Sequence, residues 1–110
     1  MKSTNLRWPL RITQERCEGV LVLTLTGRVG FVSAPTLVAT VADAVARGDR
    51  RLVLDVAAVD YVSSAGLNAL EAAVDRCAQA DGRLVLRAVT EPVRLALELG
   101  GLSRMASQIT

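Results

Sequence analysis

The sequence contains no histidine, two cysteines and three aromatic residues, Trp8, Phe31 and Tyr61. Without histidine, a Ser-His-Asp triad, a Cys-His dyad and a His-ligated metal are excluded. Cys17 and Cys77 lie sixty residues apart and form no C-x-x-C unit, so no cysteine-cluster zinc site is encoded. They read as small buried hydrophobes or half-exposed free thiols. Three aromatics are too few for a base-stacking platform. Charge of one sign is also missing. The net charge is +2, with 8 basic and 5 acidic groups in residues 1–55 and 5 and 6 in residues 56–110. No basic patch for nucleic acid or a membrane surface is encoded. Apolar runs break well short of the roughly 18 residues that span a bilayer, so no transmembrane helix and no direct membrane insertion are expected. Met1–Leu10 has two basic residues but no apolar run behind them, unlike a signal peptide. A cytoplasmic, bacterial-type chain is expected from these absences.

What the sequence does have is apolar content: 51% of its 110 residues are hydrophobic. That excludes a disordered tail and suits one domain with its own core. Residues 1–9 read as an N-terminal arm, with Trp8-Pro9 as an anchor. Residues 10–110 read as a single domain. Leu10–Arg16 alternates as a short edge strand, and Glu18-Gly19 makes a turn. Val20–Thr26 is the clearest strand, with Leu21, Leu23 and Leu25 on one face. The short link between the two predicts an antiparallel hairpin.

Gly27–Phe31 reads as a connection. Ser33 is a candidate N-cap with Pro35 in the first turn, and Leu37, Val38, Val41, Ala42 and Val45 recur at helical spacing up to Gly48. Arg51–Val56 is a strand that ends near Asp55, and Ala57–Val62 a loop or extended segment holding Asp60 and Tyr61. A helix follows from about Ser64 to Gln79 on its Leu67, Leu70, Val74 and Cys77 stripe. Asp81-Gly82 turns into the strand Arg83–Arg87. Glu91-Pro92 opens a last helix that ends at Gly100-Gly101. Leu95, Leu99 and Leu102 read as core or as a modest contact patch, and Leu102, Met105 and Ile109 of the tail as packing residues. The order β-β-α-β-α-β-α predicts an α/β fold: a mixed sheet of four to five strands with helices mainly on one face.

Chemistry concentrates at one strand-to-helix corner, where ligands of open α/β sheets gather. It holds Asp60, Tyr61 and Ser63-Ser64-Ala65-Gly66. Free N–H groups at a helix start favour an anion, and a glycine permits close approach of a partner backbone. The plain reading is that one serine caps the helix and Gly66 is a packing contact. No capping box completes it, since position 67 is Leu. Asp55 and Asp60 read as a strand-end acid and a solvated loop acid. An enzyme or small-ligand site at Asp55, Asp60 and Ser64 lacks an activating base. Gly27-Arg28-Val29-Gly30 is not Gly-x-Gly-x-x-Gly, and Gly-x-Ser-x-Gly is absent.

The segment Val59-Asp60-Tyr61-Val62-Ser63-Ser64-Ala65-Gly66-Leu67, the element order, the Gly82–Arg87 strand and the Val93…Leu97…Gly100-Gly101-Leu102 ending resemble the STAS domain family of anti-sigma factor antagonists. The resemblance covers about residues 10–105. It implies an anti-anti-sigma factor: a phosphorylation-controlled protein-binding switch rather than an enzyme, with no cofactor and no metal. In that family the acceptor serine sits in an Asp-Ser-Ser/Thr-Gly-Leu pattern. Aligned on Gly66-Leu67, the acceptor falls on Ser64, and Ser63 stands where the family has Asp. Ser63 is the lesser candidate. The resemblance further implies a partner that is an anti-sigma factor and serine kinase, and a phosphatase that resets the switch. Asp60, Ser63, Ser64 and Gly66 are then expected on the contact surface, joined by Gly30–Ser33 if that loop packs beside the helix start. The alternative is a STAS accessory subunit docking on a membrane-transport ATPase. Whether Trp8 and its arm cover the sheet or join two copies into a homodimer is left open.

Overall fold

The computed structural model describes residues 10–100. The arm at 1–9, Gly101 and the tail residues Leu102, Met105 and Ile109 lie outside them. Seven elements follow one another: β1 (Leu10–Cys17), β2 (Val20–Val29), α1 (Ala34–Ala46), β3 (Arg51–Val62), α2 (Ser64–Gln79), β4 (Arg83–Arg87) and α3 (Glu91–Leu99). The sheet order is β1-β2-β3-β4. The first pair is antiparallel and the other two are parallel.

Local chemistry explains the boundaries. Glu18 and Gly19 both have positive φ, 53° and 84°, as a two-residue turn of the mirror-image type requires. That turn sets the β1–β2 register from Cys17↔Val20 onwards. At the end of α1, Gly48 has φ 102°. Its N–H bonds the Val45 carbonyl and the Asp49 N–H bonds that of Ala44, both at 3.0 Å. This left-handed cap closes the helix where the sequence places a glycine.

The crossovers β2-α1-β3 and β3-α2-β4 both step in the same direction across the sheet. Right-handed connections therefore place α1 and α2 on one face. That face carries Leu21, Leu23 and Leu25 of β2, Leu52 and Leu54 of β3, and Leu84 and Leu86 of β4, all fully buried. Leu37, Val41, Leu67, Leu70 and Cys77 close over them. Burial pushes the Cys77 thiol up, while Cys17 is exposed, and both are free thiols. In α3 the buried pair is Val93 and Leu97, one turn apart. Leu95 and Leu99 consequently face outward and are exposed, not core.

Two sequence expectations are corrected. Residues 27–29, read as part of the connection after Thr26, still belong to β2. β3 does not end near Asp55, and of the two readings of Ala57–Val62, loop or extended segment, the extended one holds. The strand stays paired with β2 to Val62, because β2 itself runs on to Val29. Two bulges make this feasible. Thr24↔Asp55 is followed by Thr26↔Ala58, and Gly27↔Val59 by Arg28↔Tyr61, so β3 carries one extra residue each time. Each bulge flips the inward-outward alternation. Val56 and Val59 are buried, while Ala57-Ala58 and Asp60-Tyr61 sit outside as adjacent pairs. Asp60 is the extra residue of the second bulge.

The first bulge is held by a carboxylate. Asp55 Oδ1 accepts the Ala57 N–H at 3.0 Å, and Oδ2 accepts from Arg87 at 2.8 Å. The Ala57 bond first, then the Arg87 guanidinium, hold the Asp55 carboxyl below its ordinary value. A depressed folded-state pKa stabilises fully above the unfolded-state value, and the effect is lost as pH falls through the folded one. The wild-type melting temperature should therefore drop more steeply than that of Asp55→Asn as pH is lowered from about 5 to about 2. Thermal melts across that range check this, and parallel acid limbs would contradict it.

Candidate partner-binding site

The serines lie where β3 passes straight into α2. Ser63 has extended backbone, φ −87° and ψ 178°, and its Oγ accepts the Gly66 N–H at 3.1 Å. Its carbonyl accepts the Leu67 N–H at 2.8 Å, the first helical bond. Ser63 is thus the N-cap, and its half-buried hydroxyl is committed to the helix. Ser64 is the first helical residue. Its side chain is exposed and takes no partner among the described residues.

Gly66 anchors the corner from below. A Cβ at this position would stand 2.1 Å from the Val29 carbonyl oxygen and 3.0 Å from Val62 Cγ1. The same oxygen accepts the Ser63 N–H at 3.0 Å. The end of β2 therefore seats directly on the first turn of α2. Gly66 was read either as admitting a partner's backbone or as a packing contact. It is buried, and the backbone it admits is this chain's own.

The loop after β2 packs beside the helix start. Ser33 Oγ accepts the Gly30 N–H and donates to the Arg28 carbonyl, both at 2.9 Å. Ser33 occupies the N-cap position of α1 but makes no side-chain cap bond there. Its buried hydroxyl ties the preceding turn instead. Gly30 lies next to the cap, with its Cβ position 3.8 Å from Ser63 Oγ. The tied turn holds Phe31 and Val32 outward, 83% and 72% exposed, with Tyr61 at 54%. A shallow apolar groove of about 530 Å³ runs from Phe31 between α1 and α2, past Pro35, Val38, Ala65 and Ala72.

The structure thus gathers Ser63, Ser64, Asp60 and the 30–33 loop at one end of the sheet. Asp60 is exposed, displaced outward by its bulge. Asp55 does not join them: it lies five positions up the strand from Asp60, roughly 15 Å away, and its carboxylate is held by Arg87. Phe31 and Val32 come with the Gly30–Ser33 loop, expected at the site if it packed beside the helix start, and Tyr61 with the strand-to-helix corner; their joint exposure as an apolar rim was not read from the sequence. Its signal was an aromatic and a β-branched residue between Gly30 and Ser33, outside any periodic segment. Exposed side chains of this kind mark contact surfaces.

The corner generates two contrasts. Ser63→Ala should cost about 1 kcal/mol through loss of the cap, and Ser64→Ala no more than about 0.5 kcal/mol. Gly66→Ala should cost about 1–3 kcal/mol, because the obstructing atom is backbone. Chemical denaturation of the three variants checks these values.

A family model described as the STAS domain matches residues 11–109. BtrV of Bordetella bronchiseptica, named as an anti-sigma factor antagonist, is 36% identical over 92 residues, covering 84% of this chain and 79% of that one. The crystal structure of an anti-sigma factor antagonist from Mycobacterium paratuberculosis superposes with a TM-score of 0.75 at 28% identity, covering 86% of this chain and 80% of that one. A Thermotoga maritima protein shares the fold, with a TM-score of 0.78 at 19% identity and coverages of 86% and 81%.

Proposed function

The chain belongs to the STAS domain family, and on that premise we propose that it is an anti-sigma factor antagonist switched by phosphorylation at Ser64. One observation carries the choice of residue. Of two adjacent serines, Ser63 has its hydroxyl bound into the helix cap, and Ser64 presents a free hydroxyl at the first helical position. A kinase needs an accessible hydroxyl, and Ser64 offers it without unwinding the helix.

In the unmodified state the surface is neutral at Ser64 and apolar around Phe31, Val32 and Tyr61. An anti-sigma factor that is also a serine kinase docks there in the cytoplasm, and Asp60 fixes its orientation by charge. While it is held, its sigma factor is free. Transfer of the terminal phosphoryl group of the partner's ATP to Ser64 Oγ releases ADP and a proton. The phosphate adds about −1.5 to −2 charge and three acceptor oxygens. The helix N-terminus tolerates that charge well, because unsatisfied N–H groups and the macrodipole favour an anion. The docked surface does not, since the charge must be stripped of water against apolar side chains. Binding is lost while the fold persists, until a phosphatase removes the group.

Ser64→Ala should bind the anti-sigma factor as wild type does. Ser64→Glu should bind at least about tenfold more weakly, which corresponds to about 1.4 kcal/mol, with a melting temperature within a few degrees of wild type. Affinity capture from the native cytoplasm names the partner, and calorimetry with each variant measures the difference. Equal affinities for both variants would overturn the Ser64 switch. Capture of a transport ATPase by both would replace the whole reading with the accessory-subunit role.

A further inference from the structure

β1 is an edge strand: among the described residues it pairs only with β2. We infer that this edge is a self-association surface that pairs with β1 of a second copy, antiparallel and centred on Thr13. The inference does not depend on the switch.

The hairpin dictates which backbone groups are available. In a two-residue hairpin the pair flanking the turn, here Cys17↔Val20, exchanges hydrogen bonds, and bonded and non-bonded pairs then alternate. Arg11, Thr13, Glu15 and Cys17 therefore direct their N–H and C=O groups into β2. Leu10, Ile12, Gln14 and Arg16 direct theirs away from the sheet. An antiparallel second copy must pair these even-numbered positions with one another.

Side chains then select the register. On the helix-bearing face the edge is already engaged by the turn that follows α1. Arg16 pairs with Asp49 at 2.7 Å, and the Gln14 amide oxygen accepts from Arg47 at 3.3 Å. On the opposite face Arg11, Thr13 and Glu15 lie beside Thr26, Thr24 and Val22 of β2. Arg11 and Glu15 are exposed and form no ion pair among the described residues. With Thr13 opposite Thr13 of the second copy, Ile12 meets Gln14 and Leu10 meets Arg16 in hydrogen-bonded pairs. Arg11 meets Glu15 twice, by symmetry, in the closely spaced non-bonded pairs where cross-strand charges interact best. Shifting the centre to Gln14 sets Arg11 opposite Cys17. Shifting it to Ile12 sets Arg11 opposite Thr13. Neither joins opposite charges.

The other edge behaves differently. Pairing β4 with itself about Val85 would set Arg83 opposite Arg87, a like-charge clash. Joining β1 to β4 of a second copy would leave free edges and extend indefinitely. The Thr13-centred arrangement closes as an eight-stranded sheet with two-fold symmetry, and of the self-pairings considered it alone sets opposite charges against each other. The serine corners sit at the far ends of β2 and β3 and point to opposite ends of that sheet, both open.

Sedimentation equilibrium of the full chain, from micromolar to near-millimolar concentration, tests the inference. A reversible dimer is expected, of the weak class because a single strand pair is a small interface. Arg11→Glu sets glutamates opposite each other and should weaken association at least about tenfold. Arg11→Glu combined with Glu15→Arg should restore it. Gln14→Pro removes an outward N–H without touching a β1–β2 bond and should give monomer with little change in melting temperature. A monomer throughout the range overturns the inference. So does a dimer indifferent to both Arg11→Glu and Gln14→Pro.

Discussion

The carbonyl oxygen of Val29 accepts the Ser63 N–H and occupies the space where a side chain at position 66 would stand. It is the last carbonyl of β2, and it meets the chain at the point where β3 becomes α2. Everything at the candidate corner takes its position from that meeting. It fixes where the strand stops, hence that Ser63 and not Ser64 caps the helix. It draws the turn after β2 alongside, so that Phe31 and Val32 stand next to the serines. It also explains why a glycine is needed on a helix that otherwise buries leucine, alanine and cysteine.

The two bulges of β3 serve the same corner from the strand side. A regular strand would turn alternate residues into the core, and Asp60 or Tyr61 would face the leucines. With two extra residues, the strand keeps pairing and still delivers an acid and an aromatic to the surface together. The Ala57 N–H at the first bulge is accepted by Asp55, so that donor does not go without a protein partner. Charge at Asp55 and geometry at Asp60 are linked through one strand.

Much of this was legible in the residues. Glu18-Gly19 announced the hairpin, Gly48 the end of α1, and the leucines of β2, β3 and β4 the covered face, because turn chemistry and period-two patterning are local. The Asp60–Leu67 segment marked the corner by resemblance. The bulges were not legible. Ala57 and Ala58 are small enough to sit on either face, so the alternation fades there without naming a strand or a loop. Which serine caps the helix was also hidden, since both carry the same capping chemistry and the decision comes from a carbonyl thirty-four residues upstream of Ser63. Leu95 and Leu99 stayed between core and contact patch for a related reason: on a nine-residue helix, several apolar stripes are consistent with the spacing until neighbours choose one.

The bulges make residue count, rather than residue identity, the sensitive variable in β3. A substitution at Ala57, Ala58 or Tyr61 alters a surface. Loss of a single residue anywhere between Val56 and Val62 would rotate every side chain beyond it by half a turn and carry the Ser63 N–H out of reach of Val29. Homologous chains should therefore vary freely in composition along this stretch while holding its length constant. A natural insertion or deletion there would be accompanied by a compensating change at the end of β2.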